Sequence, residues 1–291
     1  MVRGQIFLRR LVAAGLVTAA TFALITVHEA RADSNRATAQ EGASNAADVG
    51  LYREHRYNVN VTNGIAYRTT TDYHGQPVTL TLDTYVPSNP QTKRPAVIFL
   101  HEGGFTSGNK SSLANYARDF ATRGYVSISI DYRLRPDMQW FDMAQRPLAA
   151  RDAYDDAIAA IAWVRAHSDE LGVDPTLVFA GGYSAGAVTA MELADPPPGA
   201  APGLVAGAFA IAGYSTGAAQ AGGSPVLDFH GTTDGLVPYS LVQNTCDAEH
   251  PVGVQCTIVT YNGEGHEIGF THPAEIADQG ATFFADLIAA R

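Results

Sequence analysis

The chain is poor in what several classes of protein require. Among its 291 residues there are only two cysteines, Cys246 and Cys256, and neither a C-x-x-C pair nor an H-E-x-x-H segment, so no metal site is expected. His101, His167, His230, His250 and His272 are scattered, which suits structural or surface histidines rather than ligands. Basic residues are also scarce, 19 Lys and Arg against 29 Asp and Glu, a formal net charge of −10. Such a balance argues against nucleic acid or an anionic membrane as a partner. Long apolar runs are missing except from Leu11 to Val27, which Thr18, Thr21 and Thr26 interrupt and which is short for a membrane span.

That run carries a different signal. Arg3, Arg9 and Arg10 precede it and Ala30-Arg31-Ala32 follows it, the pattern of a secretory signal peptide with cleavage after Ala32. The expected organisation is a signal peptide over 1–32, a polar, flexible leader over 33–49 and one domain over 50–291, secreted or extracytoplasmic and without stable membrane insertion. Cleavage removes four Arg and one Glu, leaving 15 − 28, a net charge of −13. In an exported chain an even cysteine count predicts a Cys246–Cys256 disulfide, and closing so short a loop contributes roughly 3 kcal/mol.

Hydrophobic patterning predicts one α/β domain. Ile65 to Thr71 and Val78 to Tyr85 alternate as strands around His74-Gly75, an antiparallel edge. Continuous apolar runs at 95–100, 126–130, 176–180, 204–211, 226–230 and 257–261 read as buried strands of a mostly parallel sheet, with helices between them. Leu148, Tyr154, Ile158, Ile161 and Val164 recur at helical spacing on one of those helices. Only a short loop fits between Ile211 and Val226, so no large lid is expected there. The longest loop, Arg133 to Gln145, carries Met138, Trp140 and Phe141, which suit either a substrate groove or ordinary packing.

Two segments read G-x-S-x-G, Gly182-Tyr183-Ser184-Ala185-Gly186 and Gly213-Tyr214-Ser215-Thr216-Gly217. Only the first stands between a strand and a helix, the strand-turn-helix that exposes a nucleophilic serine. The second runs into Ala218 to Pro225, a loop, so Ser215 reads as turn chemistry. A serine needs a base, and the base an orienting acid. Asp234 follows the 226–230 strand and His266 follows the 257–261 strand, the order Ser, Asp, His. His272-Pro273 instead opens the final helix. Glycines after the 95–100 strand let amides approach a developing oxyanion, so Gly103 and Gly104, with Ala185 after the serine, are the expected donors. Phe105, Trp140, Phe141 and Tyr183 are candidates for substrate contact.

Taken together, His101 to Phe105, Ser129 to Leu134, Asp152 to Arg165, Gly172-Val173-Asp174-Pro175, Gly182 to Gly186, Gly231 to Pro238 and Gly265-His266 resemble the esterase/lipase branch of the α/β-hydrolases, near its hormone-sensitive-lipase-like and bacterial carbohydrate-esterase-like groups. The resemblance covers about 65–290. Glu102 and Tyr183 depart from the family pattern, where a glycine and an acidic residue are usual, without removing a triad atom. The resemblance implies the α/β-hydrolase fold and a cofactor-free serine carboxylic-ester hydrolase working through an acyl-enzyme, on a small-molecule or polymer-linked ester that is short-chain or carbohydrate-linked; short acyl chains are expected because no long insertion precedes the Asp234 strand. A peptidase or acyltransferase on the same triad, or a catalytically silent binding protein of this fold, are the other readings.

Overall fold

Eight strands form one sheet in the order β1-β2-β4-β3-β5-β6-β7-β8. The computed structural model describes residues 52–88, 91–139, 142, 144–196, 203–217 and 219–291. The expected signal peptide and leader, and the candidates Trp140 and Phe141, lie outside them. β1 (Val59–Thr71), β2 (Pro77–Pro87) and β4 (Val126–Ile130) pair antiparallel in turn. From β4 onward pairing is parallel, through β3 (Arg94–Leu100), β5 (Val173–Tyr183), β6 (Ala208–Ile211), β7 (Val226–Gly231) and β8 (Cys256–Tyr261). The sheet is therefore mostly parallel with an antiparallel N-terminal edge.

Parallel strands are buried on both faces, and β3 shows how one apolar run serves two cores. Ala96, Ile98 and Leu100 join the core on one face, while Val97 and Phe99 join that on the other. The first face is covered by α2 (Arg146–Ala166) and α4 (Ala185–Ala194), which a short α3 (Ser168–Leu171) precedes along the chain. The second is covered by α1 (Ala114–Arg123) and α7 (Pro273–Ala289). There Phe120 of α1 stacks on Phe209 of β6, and Phe284 of α7 stacks on Phe179 of β5. α5 (Tyr239–Glu249) links β7 to β8, and a single turn, α6 (Ile268–Thr271), precedes α7.

Two details differ from the pattern-based expectation. The buried face of α2 is largely alanine, Ala149, Ala153, Ala157 and Ala160 beside Tyr154, Ile161 and Val164, while Leu148 is 50% exposed. Small side chains let that helix approach the sheet closely, and they weaken its apolar periodicity. β6 starts at Ala208 rather than Leu204, because residues 204–207 turn into the strand, with Arg165 holding the Leu204 carbonyl. Met138 packs in the core, 8% exposed, which is ordinary packing, one of its two expected readings.

Ion pairs tie the loop after β4 to α2: Arg133 bonds Asp156 and Asp152, and Arg135 bonds Asp152. Cys246 in α5 and Cys256 at the start of β8 lie at disulfide distance, with Cα atoms 5.1 Å apart. Among the described residues no helix is long and apolar enough to cross a membrane.

Candidate active site

The turn between β5 and α4 places Ser184 at φ 53°, ψ −116°, a conformation that non-glycine residues rarely adopt. Its glycine neighbours make the turn possible. A Cβ on Gly182 would overlap the Gly186 carbonyl, and one on Gly186 would overlap the Leu100 carbonyl of β3. The serine is thereby lifted off the carboxyl end of the central strand, while its own amide stays bonded to the Ile211 carbonyl at 2.8 Å.

His266 leaves β8 on the short loop before α6. Its Nε2 lies 2.9 Å from Ser184 Oγ, and its Nδ1 lies 2.7 Å from Asp234 Oδ2. An ionised carboxylate only accepts, so Nδ1 carries the ring proton and Nε2 is left to accept from the serine hydroxyl. The other Asp234 oxygen, Oδ1, accepts the Leu236 and Val237 amides, each at 2.8 Å. Burial would push the Asp234 carboxyl up, but the bonds from His266, Val237 and Leu236 outweigh it and hold it below its ordinary range. The three side chains named from the sequence thus form one hydrogen-bonded line, with Asp234 only 6% exposed and Ser184 5%.

The loop after β3 faces the same serine. Gly103 sits at φ 115°, where a Cβ would overlap the Ser107 carbonyl, and Gly104 sits at φ 62°. Both line a cavity of about 250 Å³ together with Glu102, Ser184, Leu236, His266 and Phe270. Ala185 opens α4, and the first amides of a helix have no partner within it. His101 holds this loop from below: its ring is buried, stacks on Tyr132 at 4.2 Å and bonds the Glu102 carbonyl through Nδ1 at 2.6 Å. Burial lowers the His101 pKa, which favours the neutral ring.

Comparisons with known proteins bear on the fold. A family profile described as BD-FAE matches residues 82–194. Lipase 2 of Moraxella sp. (strain TA144) is 31% identical over 105 residues, 36% of this chain and 22% of that protein. The chain spans no more than about a quarter of the first curated relatives it matches. Two structures of Thermogutta terrifontis esterase 2 cover far more. One, phosphoramylated by tabun, is 26% identical at a TM-score of 0.62, covering 80% of this chain and 94% of that one. The other, with propionate bound, is 25% identical at a TM-score of 0.60, covering 80% and 93%. The chain has the α/β-hydrolase fold, and the proteins it is similar to are esterases and lipases.

Within this fold the remaining candidates separate. Tyr183 also lines the Ser184 cavity, but it is only 1% exposed and donates its hydroxyl to the His266 carbonyl at 2.7 Å, so it supports the histidine loop. Phe105 lines a different and larger cavity, about 340 Å³, with Tyr154, Val188, Glu192 and Tyr214. Ser215 lies on a loop, its amide donating to Thr245 Oγ1 and its hydroxyl accepting from the Gly217 amide. His272 caps α7 and packs on Tyr261, apart from the serine line. Two groups at the site went unread in the sequence. Leu236 and Phe270, 51% and 59% exposed, are two of the three exposed large hydrophobic residues among those described, and both stand at the mouth of the Ser184 cavity. His230 lies directly behind Asp234.

Proposed function

We propose that the protein is an exported serine carboxylic-ester hydrolase that works through an acyl-enzyme and turns over esters of short acyl chains. The observation that carries the reading is the continuous line Ser184 Oγ, His266 Nε2, His266 Nδ1, Asp234 Oδ2 at 2.9 and 2.7 Å. Ser184 Oγ attacks the ester carbonyl as its proton passes to His266 Nε2, forming the Ser184–carbonyl carbon bond. The oxyanion is met by the amides of Gly103, Gly104 and Ala185. His266 then returns the proton to the departing alkoxide as the ester C–O bond breaks. Water, deprotonated by the same nitrogen, releases the acid and restores the serine. Asp234 holds the tautomer and stabilises the imidazolium. No step needs a cofactor.

Short acyl chains suit the small cavity around Ser184, about 250 Å³, and its low apolar rim of Leu236 and Phe270. The propionate held by the Thermogutta esterase supports the same choice. Export is supported by the arginine-flanked apolar run and the Ala30-Arg31-Ala32 site. Hydrolysis of p-nitrophenyl acetate, butyrate and palmitate by wild type, Ser184→Ala and Ser215→Ala tests the reading. Acetate and butyrate turn over faster than palmitate, Ser184→Ala loses at least about a thousandfold in kcat, and Ser215→Ala keeps most of it. Retained activity in Ser184→Ala overturns the mechanism, and faster palmitate turnover overturns the chain-length assignment.

A further inference from the structure

His230 is fully buried, two residues beyond Asp228 on β7 and four before Asp234. Residues two apart on a strand leave the same face, so Asp228 and His230 are delivered together. His230 Nδ1 lies 2.9 Å from Asp228 Oδ1; its Nε2 lies 2.8 Å from the Val237 carbonyl and 3.6 Å from Asp234 Oδ2. A carbonyl oxygen only accepts, so Nε2 must carry a proton. Nδ1 then either donates to an ionised Asp228 or accepts from a protonated one.

The surroundings favour the ionised pair. Full burial and nearby Asp234 push the Asp228 carboxyl up, and against them Oδ1 meets His230 Nδ1 and Oδ2 accepts the Gly213 amide at 3.1 Å, contacts that favour the carboxylate. On the other side Nε2 faces Asp234, which three hydrogen bonds already hold as an anion. Burial would lower the His230 pKa, but the bond to and charge of Asp228, the Val237 carbonyl and Asp234 outweigh it and raise it above the ordinary histidine range. The remaining titratable neighbours are Tyr239, whose ring packs edge-on at 5.7 Å, and His266 across Asp234.

We propose that His230 is a positioning residue, a buried cation between Asp228 and Asp234 that pins the 231–237 turn through Val237 and aims the Asp234 carboxylate at His266. It touches no substrate, and its role rests on the reading of Ser184, His266 and Asp234 as the reacting set. The geometry is closed: Val237 accepts from His230 through its carbonyl and donates to Asp234 through its amide. One ring therefore fixes both the charge beneath Asp234 and the loop that carries it.

The test joins one variant to one spectrum. His230→Gln keeps a donor for Val237 and removes the charge. In folded protein counted by active-site titration, kcat falls about 10- to 100-fold while KM stays within about twofold. The acidic limb of the kcat–pH profile moves up by about half to one unit, because a positive charge near the base is gone. A merely structural side chain would lower the melting temperature and leave that limb in place, which overturns the proposal. Independently of any variant, ¹⁵N spectra of the wild-type enzyme show both His230 nitrogens protonated from pH 5 to 8; a neutral tautomer at pH 7 overturns it. Fluorophosphonate labelling separates the two layers. Labelled Ser184 with an unmoved limb defeats the His230 role alone, whereas failure to label Ser184 defeats the reading beneath it.

Discussion

At the scale of single residues, Ser184 shows chemistry set against conformational ease. Its φ of 53° costs of the order of 1–3 kcal/mol, and the local structure keeps it there because the hydroxyl must stand clear of the sheet. Neither alanine nor serine relieves that strain, but glycine does. Ser184→Gly should therefore be more stable than Ser184→Ala by about 1 kcal/mol, a melting temperature roughly 2–4 °C higher, although both are inactive. Calorimetry of the two variants checks this, and equal or reversed stabilities would mean that the turn is unstrained. Ser184, Asp234 and His266 were legible in the sequence because each stands at the carboxyl end of a recognisable strand. Tyr183 was read only as a candidate for substrate contact and His230 only as a scattered histidine, both without their partners. Their partners, the His266 carbonyl and Asp234 with Val237, are chosen by the folded turn and leave no pattern beyond the two-residue spacing of Asp228 and His230.

At the scale of elements, the strands read well because a parallel sheet buries both faces and leaves continuous apolar runs between glycines and polar loops. Helix α2 read less well, since an alanine face packs closely yet carries little apolar contrast. Strand β6 was overestimated for the complementary reason: Val205 and Ala206 are buried, but in a turn rather than a strand. Cys246 of α5 and Cys256 of β8 lie at disulfide distance, and β8 is the strand that delivers His266. Replacing both cysteines by serine should cost about 3 kcal/mol of stability, measured by urea unfolding at constant slope. A double variant as stable as wild type under oxidising conditions would show that the bond does not form or does not brace the strand.

At the scale of the whole molecule, two buried carboxyls set opposite pH dependences. Asp234 is held below its ordinary range, so its contribution is present above the unfolded value and is lost as pH falls through the folded one. Glu249, 1% exposed and with both oxygens unpartnered, is pushed up to about 8 by burial and by nearby Asp195. The folded state therefore keeps a proton that the unfolded chain has released. Stability falls as pH rises from the ordinary glutamate range toward 8. Glu249→Gln removes that titration, so its melting temperature should gain on wild type steadily between pH 5 and 8.5. A difference that does not change with pH would mean that Glu249 ionises normally in the fold.

The central claim is that Ser184, activated by His266 and Asp234, is the nucleophile of this α/β-hydrolase. Treatment with a fluorophosphonate followed by peptide mass mapping reads it most directly. One equivalent should be incorporated on the peptide holding Ser184, and His266→Ala should slow the labelling by several orders of magnitude. Labelling at Ser215, or at Ser184 with undiminished speed in His266→Ala, would contradict the account.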